Sequence, residues 1–154
     1  MAVSYIAVCF GVKMIKKIDG IVLEDEKEEK KAENSAPDPL AEKFLKTRQI
    51  LLSGEICEEL AEKIIRQLLI LEADNDKPIY IYIDSPGGDV YAGFAIFDTI
   101  RFINAPVYII GTGLIASAAA LILLSVPKER RLGLPHSSYL IHQPSSGMKG
   151  VATD

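Results

Sequence analysis

From Gln49 onward, apolar strand-like runs alternate with stretches of helical period, and this alternation restricts the chain to a few architectures. Gln49–Leu52 reads as a short strand ending at Ser53-Gly54. Between Cys57 and Ala73, the spacing of Cys57, Leu60, Ala61, Ile64, Ile65, Leu68 and Leu69 traces one face of a helix. Pro78–Asp84 is β-branched and aromatic, hence a strand, and Ser85-Pro86-Gly87-Gly88 stops it. A second amphipathic helix covers Val90–Ile103. Val107–Ile110 is the next strand, Gly111–Gly113 a turn, Leu114 to about Ser125 an Ala-rich helix, and Ser137–Ile141 a further strand. The order β-α-β-α-β-α-β predicts an α/β fold with a mainly parallel sheet, right-handed crossovers and helices packed on it.

Composition agrees with one globular domain: 154 residues, 49% apolar and 25% charged. Seventeen basic against 21 acidic residues leave a net charge of −4, which argues against a general nucleic-acid binder. Cys9 and Cys57 are too few for a disulfide framework and lack CxxC spacing, so no metal site is expected and a reducing cytoplasm fits best. No GxxxxGK[ST] motif is present, so the chain is not expected to hydrolyse ATP.

Residues 2–12 are apolar, but the basic residues follow them (Lys13, Lys16, Lys17) and no small-residue cleavage site is seen, unlike a signal peptide. Met14 is an alternative start position. The uncharged run Phe102–Pro127 is long enough to cross a membrane, yet Pro106 and Gly111-Thr112-Gly113 divide it into pieces typical of a doubly covered sheet core. Residues 24–33 carry nine charges and 34–39 read Asn-Ser-Ala-Pro-Asp-Pro. Residues 1–39 are therefore expected as a mobile arm and 40–154 as the folded domain.

Three features fall at the carboxyl ends of strands, where sites form in open α/β sheets. Ser85-Pro86-Gly87-Gly88-Asp89 can bring bare main chain to a substrate. Ser117 falls in the first turn of the Ala-rich helix, among small neighbours and unpaired N–H groups, where a developing oxyanion is favoured. It is not a GxSxG elbow, because Ile115 and Ala119 hold the glycine positions. His142 closes the strand before Gln143-Pro144, whereas His136 reads as a solvent-facing turn residue. Taken singly, these are an ordinary turn, a small packing residue and a structural histidine. Taken together, they are the parts of an acyl-transfer site.

These motifs, with Ser53-Gly54-Glu55-Ile56, Tyr80–Gly88, Ala92–Asp98, Ala116-Ser117 and Ile141-His142-Gln143-Pro144, resemble the ClpP family over about Leu45–Asp154. Members of that family are the proteolytic subunits of ATP-dependent Clp serine proteases. The resemblance implies a ClpP/crotonase-like superhelix of repeated β-β-α units, incomplete at the C-terminus. It makes Ser117 the nucleophile, His142 the general base, and the N–H groups of Gly88 and Ala118 the oxyanion hole. Tyr80 and Tyr82, with Leu69, would line the pocket that takes apolar loops of an AAA+ unfoldase. Further implications are heptameric rings pairing into a tetradecamer, unfolded polypeptide substrates, and ATP hydrolysis by the partner with no cofactor on this chain. Neither a nucleic-acid nor a membrane partner is implied.

The family's triad aspartate lies beyond the position matching Asp154, and Gly150–Asp154 looks like the approach to a helix N-terminus. A form ending there would be weakly active or inert, and its ring assembly weakened. Two alternatives are a non-catalytic subunit of a mixed ring and a crotonase-type acyl-CoA enzyme, which needs no Ser and His pair at these positions.

Overall fold

A computed structural model describes Lys13–Met14 and residues 39–142. The stretch 24–33, Gln143-Pro144 and Gly150–Asp154 lie outside the described residues. The elements are β1 (Lys13–Met14), α1 (Pro39–Lys46), β2 (Gln49–Ser53), α2 (Glu58–Asp74), β3 (Ile79–Ser85), α3 (Val90–Phe102) and β4 (Val107–Ala116). After them come α4 (Ala118–Leu123), a 3-10 turn (Lys128–Arg130), β5 (Arg131–Gly133) and β6 (Ser138–Leu140).

All pairings in the sheet are parallel, in the order β1-β5-β4-β3-β2. β3 runs along one edge of β4. The other edge is shared, with Ile109–Gly111 pairing β5 and Leu114–Ala116 pairing β6. Along β3 the two-residue period separates the faces: Ile79, Ile81 and Ile83 are fully buried, while Tyr80 and Tyr82 are half-buried on the other side. Against the isoleucine face pack α2, through Ala61, Ile64, Leu68 and Leu71, and α3, through Ala92, Ile96 and Ile100. Each fully buried Ile or Leu contributes roughly 1.5–3 kcal/mol. α3 lies against both α2 and α4. It meets α4 closely at Gly93, where a Cβ would stand 3.2 Å from that of Ala118.

The structure departs from the sequence reading in four places. The Gly111–Gly113 turn is absent, because β4 continues through it to Ala116. Register shifts there from Ile83↔Gly111 to Ser85↔Ile115, so β4 advances four residues where β3 advances two. The glycines serve a bulge, with Gly113 at φ +56°, and the Ala-rich helix is correspondingly shorter. β5 is a second difference: three residues, two of them polar or small, carry no strand signal. α1 is a third, unmarked by any long periodicity. Lastly, Lys13 and Met14 pair with Leu132 and Gly133, so the sheet includes part of the segment expected as a mobile arm. Among the described residues no helix is long and apolar enough to cross a membrane, and Phe102–Pro127 instead supplies β4 and α4.

Candidate active site

Ser117 occupies the junction between β4 and α4 and is not in a helical turn. As the N-cap of α4 it has φ 53° and ψ −121°, a positive φ on a residue with a Cβ. Such backbone costs of order 1–3 kcal/mol and persists only where surrounding structure enforces it. Two sets of hydrogen bonds enforce it here. The Ser117 N–H donates to the Leu140 carbonyl at 3.0 Å, which ends the β4–β6 ladder. The Ser117 carbonyl accepts from the Ala120 N–H at 2.9 Å, which starts α4. A serine on a sharp strand-to-helix turn presents its hydroxyl beyond the sheet, as in nucleophile elbows, although the flanking glycines of that motif are missing.

The segment after β3 meets this turn through Gly87. A Cβ on Gly87 would lie 2.6 Å from the Ser117 Cβ and 2.8 Å from the Ala116 carbonyl oxygen. Gly87 is buried at φ +98°, and its N–H donates to the Ser85 hydroxyl at 3.1 Å. The Gly87 carbonyl accepts from the Ile56 N–H, and the Asp89 N–H donates to the Ile56 carbonyl, both at 2.8 Å. Because a trans peptide points its C=O and N–H in opposite directions, the Gly88 N–H is turned away from Ile56. Among the described residues no acceptor takes that N–H, nor that of Ala118 at the start of α4. Gly88 cannot carry a side chain, since its Cβ would be 2.2 Å from the Ile56 oxygen.

His142 is exposed, two residues beyond the Ala116↔Leu140 pair. Its backbone thus follows the strand that neighbours the one leading to Ser117, at the same end of the sheet. Among the described residues no hydrogen bond joins the imidazole to the Ser117 hydroxyl. Such bonds commonly form or tighten when substrate binds. His136 lies in an exposed turn, as the sequence reading has it.

Tyr80 and Tyr82 share the sheet face opposite the core. Tyr80 stacks on Tyr108 with ring centroids 5.4 Å apart, and Tyr82 lies 6.4 Å from Phe44 of α1. Burial, and secondarily the neighbouring Tyr80, push the Tyr82 hydroxyl above its usual pKa. Leu69 does not join the buried face of α2: it is 47% exposed, while Leu71 takes the buried position. A cavity of about 220 Å³ between α1, β2 and α2 is lined from α2 by Lys63 and Gln67, not by Leu69. At 100° per residue, Leu69 and Gln67 project from nearly opposite sides of that helix.

Two contributors to this geometry carry no sequence signal of their own. Gly87 is read only jointly with Gly88, as bare main chain open to a substrate, and Asp84 only as the end of a strand.

A protein-family model described as Clp protease matches residues 30–154. The ATP-dependent Clp protease proteolytic subunit 2 of Treponema denticola is 67% identical over 128 residues, covering 82% of this chain and 64% of that protein. The subunit of the same name from Treponema pallidum is 60% identical over 132 residues, with 84% and 66% covered. Among solved structures, ClpP1 from Listeria monocytogenes is 48% identical with a TM-score of 0.66, over 68% of this chain and 62% of that one. The chain therefore spans just under two thirds of the length of these relatives.

Proposed function

Because the chain belongs to the Clp protease family, we propose that it is a proteolytic subunit whose Ser117 hydrolyses peptide bonds through an acyl-enzyme. The observation that carries this reading is the positive-φ turn at Ser117, held against Gly87 and tied by its N–H to the strand that leads into His142. In the proposed reaction His142 removes the Ser117 proton as Oγ attacks the scissile carbonyl carbon. The oxyanion accepts hydrogen bonds from the Gly88 and Ala118 N–H groups. His142 then passes its proton to the leaving amine as the C–N bond breaks. Water, deprotonated by the same imidazole, attacks the ester, and the acid product leaves with Ser117 restored. Each oxyanion donor is worth roughly 2.7–4 kcal/mol in the transition state.

The relatives are named as ATP-dependent, and the partner in this reading is an AAA+ ATPase that unfolds proteins and hydrolyses the ATP. Its apolar loops dock on the tyrosine face of β3, at Tyr80 and Tyr82, while Leu69 is exposed on α2 and lines no part of the cavity between α1, β2 and α2. The subunits form rings in the cytoplasm and receive unfolded polypeptide.

The test is acylation of the natural protein by a fluorophosphonate probe. Label should sit on Ser117, disappear in Ser117→Ala, and form at least about 100-fold more slowly in His142→Gln. Label that persists in Ser117→Ala refutes the assignment.

A further inference from the structure

β3 and β4 are joined by a side-chain clamp at equal distance from the proposed site. The Asp84 carboxylate accepts the Leu114 N–H at 2.9 Å. Asp84 lies three residues before Gly87, and Leu114 three residues before Ser117. The clamp bridges the bulge where ordinary ladder pairing is lost, between Ile83↔Gly111 and Ser85↔Ile115. A Cβ at Gly113 would come within 2.6 Å of the carboxylate, so the close approach is built into both strands. The Thr112 hydroxyl adds a bond to the Ile83 carbonyl at 3.2 Å, and the Asp84 carbonyl accepts the Gly54 N–H at 3.0 Å.

We propose that Asp84 is a positioning residue for acyl transfer, setting the register at which the glycine segment meets Ser117. This inference rests on the hydrolase reading above. Between Gly111 and Ile115 the β3–β4 ladder is interrupted, and a one-residue slip across such a gap would reverse every side chain after it. With Leu114 pinned, Ser117 arrives on the glycine segment in one register. A displacement of about 1 Å at a reacting group costs on the order of 100-fold in rate.

The test compares kcat and KM on a short peptide substrate, the rate of Ser117 acylation, and Tm, in the natural protein. Asp84→Ala should lower kcat and acylation about 10- to 100-fold while leaving KM within about twofold. Asp84→Asn keeps an oxygen acceptor and should recover to within about threefold of wild type. Gly113→Ala, which retains the carboxylate but forces it away from Leu114, should reproduce the kcat loss, and it decides the matter if Asp84→Ala fails to fold. Wild-type acylation with an unchanged rate in both Asp84→Ala and Gly113→Ala overturns the clamp alone. So does an Asp84→Asn variant as slow as Asp84→Ala. Absence of Ser117 acylation in the wild type overturns the hydrolase reading, and the clamp with it.

Discussion

Gly87 and Ser117 approach so closely that no side chain fits between them: a Cβ on Gly87 would lie 2.6 Å from that of Ser117 and 3.1 Å from the Ala118 nitrogen. The neighbours are a strand end and a helix start, neither able to retreat. Gly87→Ala should therefore destabilise the fold by about 1–3 kcal/mol, since φ is also +98° there. Urea unfolding measures this. Fluorophosphonate acylation should drop by about 100-fold or more in the variant fraction that remains folded.

Ser117 stores conformational strain at φ 53°. Glycine relieves it, at an entropic cost of roughly 0.5–1 kcal/mol in the unfolded chain. Against a strain of about 1–3 kcal/mol, Ser117→Gly should gain on the order of 1 kcal/mol while losing all acylation. Ser117→Ala should lose acylation with no such gain in its urea midpoint. Equal midpoints for the two variants would mean that the turn is unstrained.

Arg48, 8% exposed, is the chief fastening at the C-terminal end of α2. Its guanidinium donates to the carbonyls of Leu71 and Asn75, both at 2.9 Å, and to that of Lys77 at 2.7 Å. The Leu71 carbonyl also takes the Asn75 N–H at 3.4 Å, whereas the Asn75 and Lys77 carbonyls lie past the end of α2, where no helical turn follows to supply donors. Arg48→Ala should cost about 3 kcal/mol in urea unfolding, and Arg48→Lys should recover only part, because an ammonium cannot reproduce the fork.

Glu72 receives the Ala105 N–H, the Asn104 N–H and the Asn104 side-chain amide, each at 2.9 Å. The backbone bonds from Ala105 and then Asn104 hold its pKa below the usual carboxylate value. A depressed folded-state pKa gives stability that is present above the unfolded value, about 4.3, and lost as pH falls through the folded one. Glu72→Gln should accordingly be less stable than wild type at pH 7, with the gap closing in acid. A gap of constant size down to pH 3 would contradict the linkage.

Tyr139 shows the opposite sign. Its hydroxyl lies 2.9 Å from that of Ser137, and burial raises its pKa above 10 more than the Ser137 bond lowers it. The protonated form is thus favoured by folding, so stability is full below the unfolded pKa and declines as pH rises past about 10. Tyr139→Phe should lose about 1 kcal/mol at neutral pH and show a shallower alkaline decline in Tm.

Much of this fold is legible in the sequence because its strands and helices differ sharply in period. Ile79, Ile81 and Ile83 alternate with tyrosines, while Ala61, Ile64 and Leu68 follow helical spacing. What escapes are features decided by tertiary contact. Gly111-Thr112-Gly113 looks like a turn, and the Asp84 carboxylate together with the β3 and β6 ladders makes it a bulge within a continuous strand. That one difference moves Ser117 from a helical turn to a strained junction. Arg131–Gly133 becomes a strand because β4 offers a free edge there, not because three such residues favour one.

For the candidate site, the residue types and the order of Ser117 and His142 are readable, as is the glycine pair beside them. The division of labour between Gly87 and Gly88 is not. It depends on Ile56, thirty-one residues before Gly87 in the chain, gripping one peptide unit from outside the turn. Leu69 illustrates the converse error: the apolar face is drawn too wide around the helix, and the buried stripe runs Ala61, Ile64, Leu68 and Leu71, leaving Leu69 outside it.

The parallel β4–β6 ladder has a consequence for how such a chain tolerates change. Twenty-four residues intervene between Ser117 and His142. Yet the distance between their main chains is governed by the lateral spacing of two neighbouring strands, about 4.8 Å, and not by the contour of what loops between them. Insertions at the tip around Pro127–Glu129, far along that excursion, can lengthen the path without moving either end of it.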